Sequence, residues 1–391
     1  MKFDRFNILH AFIYLYGSLI FNCIFLINKF SSKQVDKRVI LYGHKLYGNL
    51  KSLYKELEET NLEFYFLTLD YRVYKKLRKN SVKVLYGLKI SDIAKVISSK
   101  IIVTDHGLHF MKKLLHKDTN YFFDTTHGLP FQKWNEDIIK QWYDYQEVWL
   151  FSNYHKDIYI KDFGYKKDNL KVTGYGRLDY IKKFNTSTNK IDDIEKIKNK
   201  YKLAKAKKIV LYAPTWIHLE NKVSKEFMRP DNLDFLKYLN NICKSNNLTM
   251  LFRPHLNTKL SKKFTKELDN LSNLLYFPFD QYEEVEEFLV ISDILITDWS
   301  SIALDYILFD RPTIFLNLPN SFKLGIFKEE VLRFGKISDK TSLEKDIVNY
   351  IRDISLYIEE CPQHSITKNT IYKGSPEIAA EKYITRIMKY V

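Results

Sequence analysis

Residues 293–317, Asp-Ile-Leu-Ile-Thr-Asp-Trp-Ser-Ser-Ile-Ala-Leu-Asp-Tyr-Ile-Leu-Phe-Asp-Arg-Pro-Thr-Ile-Phe-Leu-Asn, constrain the fold more than any other stretch. The apolar, largely β-branched run 294–296 has the length of a buried parallel strand and breaks at Thr297-Asp298. Ser300 and Ser301 stand where helix N-caps stand. Ile302, Leu304, Tyr306, Ile307 and Leu308 then keep helical apolar spacing, and Arg311-Pro312 stops the helix before a second strand. Strand, polar turn, helix and strand in so short a span point to an α/β architecture. At the carboxyl end of a parallel strand, free backbone N–H groups and the helix dipole face the crevice, which makes the Ser-Ser turn a phosphate site.

A chain of 391 residues exceeds one ordinary core, so two domains of about 150–200 residues are expected. Cys23, Cys243 and Cys361 are odd in number and far apart. They suggest neither a disulfide framework nor a zinc cluster, and the compartment reads as reducing. A net charge of +15 favours anionic partners: nucleic acid, a phosphate-bearing substrate or anionic lipid. The lysines are scattered among tyrosine, isoleucine and asparagine, so specific nucleic-acid binding is not expected.

Residues 8–27 form the most apolar window, about the length of a membrane helix, weakened by His10, Gly17, Ser18 and Asn22. Lys2 and Arg5 precede it and Lys29, Lys33, Lys37 and Arg38 follow, which sets no orientation, and no small-residue cleavage site marks a removed signal. Two readings stay open: a helix buried on the first domain, or an interfacial or spanning anchor. Short strands then alternate with helical patterns. Strands are expected at 39–42, 64–69, 82–86, 101–104, 121–124 and 148–151, with helices at 46–59, 71–79 and 91–98, which predicts a right-handed parallel α/β domain. Gly43 and Gly48 fit a turn and helix start rather than a dinucleotide fingerprint. Residues 170–181 read as a strand ending in a Gly-x-Gly turn with Arg177 and Asp179, and the lysine-rich stretch after them as a solvated linker and connecting helix that holds the domain boundary. A second domain opens on the strand before Pro214-Thr215-Trp216, continues through a helix at 233–245 and a strand at 249–252, and ends in helices at 343–359 and 377–391, the last packing back across both domains. The expected division is 1–37 (membrane-associating or packing helix), 38–185, a linker at 186–208, 209–372, and a C-terminal helix at 373–391.

Several side chains carry chemistry. His106, His109 and His116 have a spacing one helix face could share, but Gly107 interrupts it, and no metal site is expected. His127 follows a strand and is followed by Gly128 and Pro130, which places it on a tight strand-end loop. There it either serves as a general base or hydrogen-bonds its own loop. Arg253 and His255 flank Pro254 at another strand end, where they can present two fixed donors to an anion.

Four motifs stand in order: Thr-His-Gly-Leu-Pro, Tyr-Ala-Pro-Thr-Trp, Arg-Pro-His, and Leu-Ile-Thr-Asp-Trp-Ser-Ser-Ile-Ala-Leu-Asp-Tyr followed by Arg-Pro. Over residues 100–340 this order resembles the CDP-glycerol:poly(glycerophosphate) glycerophosphotransferase family, the teichoic-acid and capsule polymerases and primases. The resemblance implies a GT-B fold of two Rossmann-like domains facing a cleft, with the CDP-polyol donor on the C-terminal domain and a glycopolymer or lipid-linked acceptor approaching from the N-terminal one. It also implies a peripheral or N-terminally anchored place on the cytoplasmic face of the cell membrane, and no cofactor. Carried over by position, His127 resembles the base that takes the acceptor proton. His255 with Arg253 resembles the histidine motif that contacts donor phosphates, Ser300 and Ser301 the serines that grip the pyrophosphate, and Thr215 the loop of the matching Ala-Pro-Thr-Trp motif. Asp298 shapes the serine turn, and Asp305 faces the same way, toward ribose hydroxyls. The chain departs from the family pattern at Thr126, where a tryptophan is usual, and at Leu129-Pro130-Phe131-Gln132-Lys133 and Gly176-Arg177-Leu178-Asp179. These departures concern the acceptor side.

The implied reaction places an acceptor hydroxyl in line with the distal phosphorus, removes its proton and neutralises the leaving CMP. No Asp-x-Asp ends a strand, so no obligatory metal is expected in the chemical step. A nucleotide-sugar glycosyltransferase of surface polysaccharide on the same scaffold is the nearest rival. A membrane-bound scaffold or a basic nucleic-acid binder would use the same charge without turnover.

Overall fold

The computed structural model describes residues 8–30, 36–108, 120–130, 145–215, 226–255, 258, 260–319 and 328–391. The chain divides into two compact units, one of residues 1–128, 134–179 and 372–391, the other of residues 129–133 and 180–371.

The first unit is built on strands β1 (Asp36–Tyr42), β2 (Phe64–Thr68), β3 (Val84–Tyr86), β4 (Ser99–Thr104), β5 (Tyr121–Asp124), β6 (Glu147–Leu150) and β7 (Leu170–Val172). They pair in the order β3-β2-β1-β4-β5-β6-β7, all parallel. Val39, Ile40 and Leu41 are fully buried in succession, as a strand covered on both faces requires. Helix α2 (Gly48–Glu58) closes one face with Leu50, Leu53, Tyr54 and Leu57, and helix Tyr71–Lys79 starts at Asp70, whose carboxylate accepts from the N–H groups of Arg72 and Val73.

The second unit repeats the plan with β8 (Ile209–Tyr212), β9 (Thr249–Phe252), β10 (Leu274–Tyr276), β11 (Ile294–Thr297), β12 (Thr313–Leu316) and β13 (Lys336–Ser338). Its order is β10-β9-β8-β11-β12-β13, again parallel. Its core runs from Val210, Met250, Ile294 and Ile314 to Leu236, Leu239 and Ile347.

Three expectations are corrected. Residues 186–208 do not separate the two units: helix Asp179–Thr186 precedes this stretch and helix Lys190–Lys200, the connecting helix expected there, lies within it. The second of them belongs to the second unit, where Lys200 pairs with Glu287 at 2.6 Å and the Tyr201 ring packs 4.6 Å from Phe288. The division falls after Asp179 because the apolar stripe of these helices has a core to cover. The helix expected at 343–359 breaks into Leu343–Arg352 and Ile354–Glu360 at Asp353, whose extended backbone and carboxylate cap the second piece. The last segment belongs with the first unit. Helix Ala379–Ile387 buries Ala379, Tyr383 and Ile387 in that core, and the Tyr383 ring stacks on Trp149 at 4.9 Å and 15°.

The N-terminal apolar window is helix α1 (Ile8–Phe30). Gly17 and Phe21 are buried and the helix packs against helix Ile90–Ile97. Phe12, Leu15, Leu19, Leu26 and Ile27 remain at least half exposed. Among the described residues no helix is long and apolar enough to cross a membrane.

Tyr383 is fully buried, its hydroxyl donates to the Gly174 carbonyl at 3.0 Å, and it accepts from the Gly176 N–H at 3.1 Å. Tyr383→Ala is expected to destabilise the protein by about 3–5 kcal/mol and Tyr383→Phe by about 1–3 kcal/mol. Urea denaturation followed by tryptophan fluorescence measures both, and an unchanged midpoint for the alanine variant would refute the anchoring role.

Candidate active site

In each sheet the strand order reverses beside the first strand, between β1 and β4 in the first unit and between β8 and β11 in the second. Loops leaving two such strands diverge and open a crevice at their carboxyl ends.

In the first unit, the residues after β1, β4 and β5 meet there. Asp105 and His106 follow β4 directly, and the His106 Nδ1 lies 2.7 Å from an Asp105 carboxylate oxygen. The ring of His127, beyond β5, lies 4.0 Å from that of His106, tilted by 38°. His44 and Tyr47, from the loop after β1, approach the His106 ring at 5.7 and 6.3 Å, and Tyr47 meets His127 edge-on at 6.4 Å. Gly43 keeps this packing possible, because a Cβ there would meet Leu50 at 2.7 Å and Asp105 at 3.4 Å.

The backbone around His127 is fixed from several sides. Thr126 has φ of 54°, unusual for a β-branched residue and costing about 1–3 kcal/mol. Its N–H donates to Asp124 at 2.7 Å, and its hydroxyl lies 2.9 Å from that of Tyr175. Asn49, buried on α2, donates to the Thr126 carbonyl at 2.9 Å and accepts from the Arg177 N–H at 3.1 Å. Arg177 in turn donates to the His127 carbonyl at 2.8 Å. The imidazole of His127 is thus carried on an over-determined turn, and the residue is exposed.

Charge in this cluster is unevenly held. Burial alone would depress His106, but the Asp105 carboxylate beside it outweighs that and raises its pKa above the ordinary value. Burial pushes Asp124 up to about 7, against the hydrogen bond from Thr126 and with the help of nearby Asp105. Asp105, His106 and His127 each bring a ligand-type atom within 4.8 Å of the others, the one such grouping found among the described residues. Two imidazoles sharing a tetrahedral ion about 2.1 Å from each nitrogen hold their centroids about 5 Å apart. The 4.0 Å separation here is instead a ring-on-ring contact. His109 and His116 lie outside the described residues.

In the second unit, Thr215, Arg253, His255, Asp298, Ser300 and Ser301 follow the adjacent strands β8, β9 and β11. Asp298 is the hub: one carboxylate oxygen accepts from the Thr215 N–H at 2.7 Å, the Thr215 hydroxyl at 2.6 Å and the Trp299 N–H at 2.7 Å. Burial raises its pKa, and these same hydrogen bonds pull it back. Arg253 differs from its sequence reading. It is buried, its guanidinium lies over Phe288 at 5.1 Å and reaches the carbonyls of Phe277 and Glu283 at 3.5 and 3.4 Å, and burial pulls its pKa down to about 10. His255 is half-buried, which lowers its pKa. Ser301 takes the N-cap position of a helix of only five residues, Ile302–Tyr306, without a side-chain capping bond. A single turn adds little dipole, so any anion here would rest on the turn's N–H groups and hydroxyls rather than on a helix field. Asp305 is buried on that turn.

Asp105, Asn49 and Tyr47 are the residues that sequence reading passed over, while His106 and Arg177 were noted there without a role at this site. Asp105-His106 carried a usable signal, since both directly follow an apolar strand, as His127 does. Asn49 and Arg177 carried none, because their role depends on two loops far apart in the chain.

The profile described as CDP-glycerol:poly(glycerophosphate) glycerophosphotransferase matches residues 25–318, and the chain belongs to this family. A teichoic acid poly(glycerol phosphate) polymerase of Bacillus spizizenii is 28% identical over 227 residues, which is 57% of this chain and 52% of that one. The chain therefore spans about half the length of that relative. The solved structure of the wall teichoic acid polymerase TagF, H548A variant, superposes with a TM-score of 0.76 at 17% identity, covering 97% of this chain and 95% of that one. The TagF H444N variant soaked with CDPG gives a TM-score of 0.75 at 18% identity, covering 95% and 93%. The fold is the GT-B fold of TagF.

The raised pKa of Asp124 has a measurable consequence. An unfolded aspartate loses its proton near pH 4, the folded one at about 7, so the folded state binds the extra proton between these values and stability falls as pH rises through that window. Asp124→Asn keeps an acceptor for the Thr126 N–H and removes the titration. Urea midpoints of this variant should decline less between pH 4 and 8 than those of the native protein, and equal declines would contradict the assignment.

Proposed function

We propose that this chain transfers glycerol phosphate, or a related polyol phosphate, from a CDP-linked donor to a hydroxyl of a wall glycopolymer or lipid-linked acceptor, releasing CMP. The observation that carries the reading is the exposed His127 on its clamped turn at the crevice end of the first sheet, in a chain of this family. The TagF relative soaked with CDPG and the polymerase relative of Bacillus spizizenii agree with it in donor and product class.

Each unit has its part. On the first, His127 takes the acceptor proton as the acceptor oxygen bonds to the distal phosphorus and the bond to CMP breaks. The fixed turn spares the reorientation that a mobile base would need. On the second, Thr215, Ser300, Ser301 and His255 contact the donor pyrophosphate, with Asp298 holding the Thr215 loop against the serine turn. His255, neutral when the site is empty because burial disfavours its charge, gains a proton more readily once a phosphate lies against it. Arg253 acts from beneath, fixing the strand end that carries His255. Asp305 is assigned to the ribose hydroxyls.

Helix α1 suits a place on the cytoplasmic membrane surface. Phe12, Leu15, Leu19, Leu26 and Ile27 offer lipid an apolar face, and the net charge of +15 favours anionic headgroups.

Incubation with CDP-glycerol, CDP-ribitol or UDP-sugars and an acceptor should release CMP from a CDP-polyol; release of UDP alone would overturn the reading in favour of a glycosyltransferase. His127→Ala should lower transfer by about 10²–10⁴-fold while CDP-glycerol is still retained by the protein. Undiminished turnover would return His127 to a loop-holding role. In a separate measurement, the chain should sediment with vesicles containing anionic lipid and lose this on combined Phe12→Ser, Leu15→Ser and Leu19→Ser substitution; unchanged sedimentation would remove α1 from the membrane contact.

A further inference from the structure

We propose that His106, fixed by Asp105, is a positioning residue for His127: the two imidazoles hold one proton between them, on His106, and leave His127 a lone pair for the acceptor. The inference rests on the reading of His127 as the base.

The geometry assigns the proton asymmetrically. A carboxylate stands 2.7 Å from Nδ1 of His106, and its side chain is 4% exposed, so it offers a charged partner shielded from water. The Arg177 guanidinium donates to the His127 carbonyl at 2.8 Å, so a cation lies close to His127, while the Asp105 carboxylate lies at hydrogen-bond distance from the His106 ring. With ring centroids 4.0 Å apart, a second positive charge on the pair is strongly disfavoured. One proton enters readily, on the ring beside Asp105, and the next is resisted.

Among the described residues, the groups facing His106 come from several neighbouring elements. Asp105 lies on its own loop, and His44 and Tyr47 on the loop after β1. Asp124 at the end of β5 favours the charge on His106, and Arg177, from the segment Gly176–Leu178, opposes it. His127 faces it from the turn beyond β5. The balance favours a charged His106, in keeping with its raised pKa.

This pairing serves catalysis in two ways. Contact between the rings, with Tyr47 edge-on to His127, fixes the plane in which the His127 lone pair lies. A proton taken from the acceptor then sits on a doubly charged pair, is weakly held and passes quickly to solvent, so the base is regenerated after each transfer.

The test uses the full chain without substrate, labelled with carbon-13 at histidine Cε1, with the His127 signal assigned by its loss in H127Q. In H106N the His127 titration midpoint should move upward by about 1 pH unit, since a neighbouring positive charge is gone. D105N should move it the same way by less, and carries the test if H106N does not fold. The acid limb of kcat/KM for CMP release should follow both shifts, whereas a purely structural role would lower the rate at every pH alike. An unmoved midpoint in both variants would overturn the proposal. So would a chelator-reversible change of both histidine signals on adding zinc, which would make the pair a ligand set. Because titration is read on the free protein, a failed CMP assay strikes the proposed reaction, while an unmoved midpoint beside intact CMP release strikes only the histidine pairing.

Discussion

Two parallel pairings, β1 with β4 and β8 with β11, are the constraint from which the rest follows. A parallel strand buried on both faces has no room for polar side chains along its length, and Val39, Ile40 and Leu41 or Leu295 and Ile296 show how completely these strands are apolar. Polar chemistry is pushed to the strand ends. Where strand order reverses, loops turn away from each other and leave the ends open. His44, Asp105, His106 and His127 gather at one such place, Thr215 and Asp298 at the other, although the residues of each group are far apart in the chain.

Both places are organised by buried carboxylates, used differently. Asp298 spends one oxygen on three donors of its own unit and is a structural hub. Asp105 is spent on a single imidazole, which leaves a charge relationship rather than a scaffold. Asp124 is intermediate: it accepts from Thr126 and supports an uncommon backbone conformation, at the cost of a carboxyl that holds its proton to about pH 7. The first unit therefore concentrates titratable groups around one exposed histidine, and the second concentrates neutral donors around an open strand end.

Most strands were legible because parallel burial writes them as short, nearly continuous apolar runs; 121–124 and 249–252 match residue for residue. What escaped had a physical reason in each case. Strand β10 is only three residues, Leu274–Tyr276, too short for a periodic signal. The stretch holding helix Lys190–Lys200 reads as linker and connecting helix because its lysines outnumber its apolar residues, yet the helix is part of the second unit, with Ile197 buried and Lys200 paired with Glu287. Ser300 and Ser301 looked like caps of a full helix, but Asp310, left-handed at φ of 52°, ends the helical run soon after Tyr306. At the site, His127 was readable from its glycine and proline neighbours, whereas its contact with the His106 ring was not, since a contact between strand ends leaves no local pattern. Arg253 was read as an anion donor from its place beside His255; burial among aromatic rings, which sequence cannot give, makes it a support.

The last twenty residues return to the first unit, and this bears on how the molecule comes into being. Tyr383 fills the space between Trp149 and the Gly174–Gly176 turn, and Asp179 accepts from the N–H groups of Ala379 and Ala380. Everything from Tyr180 to Ile371 is, in topological terms, a domain inserted into another. During synthesis the inserted unit has its whole sequence first and can fold while the earlier one still lacks a wall of its core. The turn that leads from Thr173 to Arg177, and through Arg177 to His127, gains its final support only when helix Ala379–Ile387 docks on it. The loop that carries His127 thus owes its shape to a segment made only after the inserted unit.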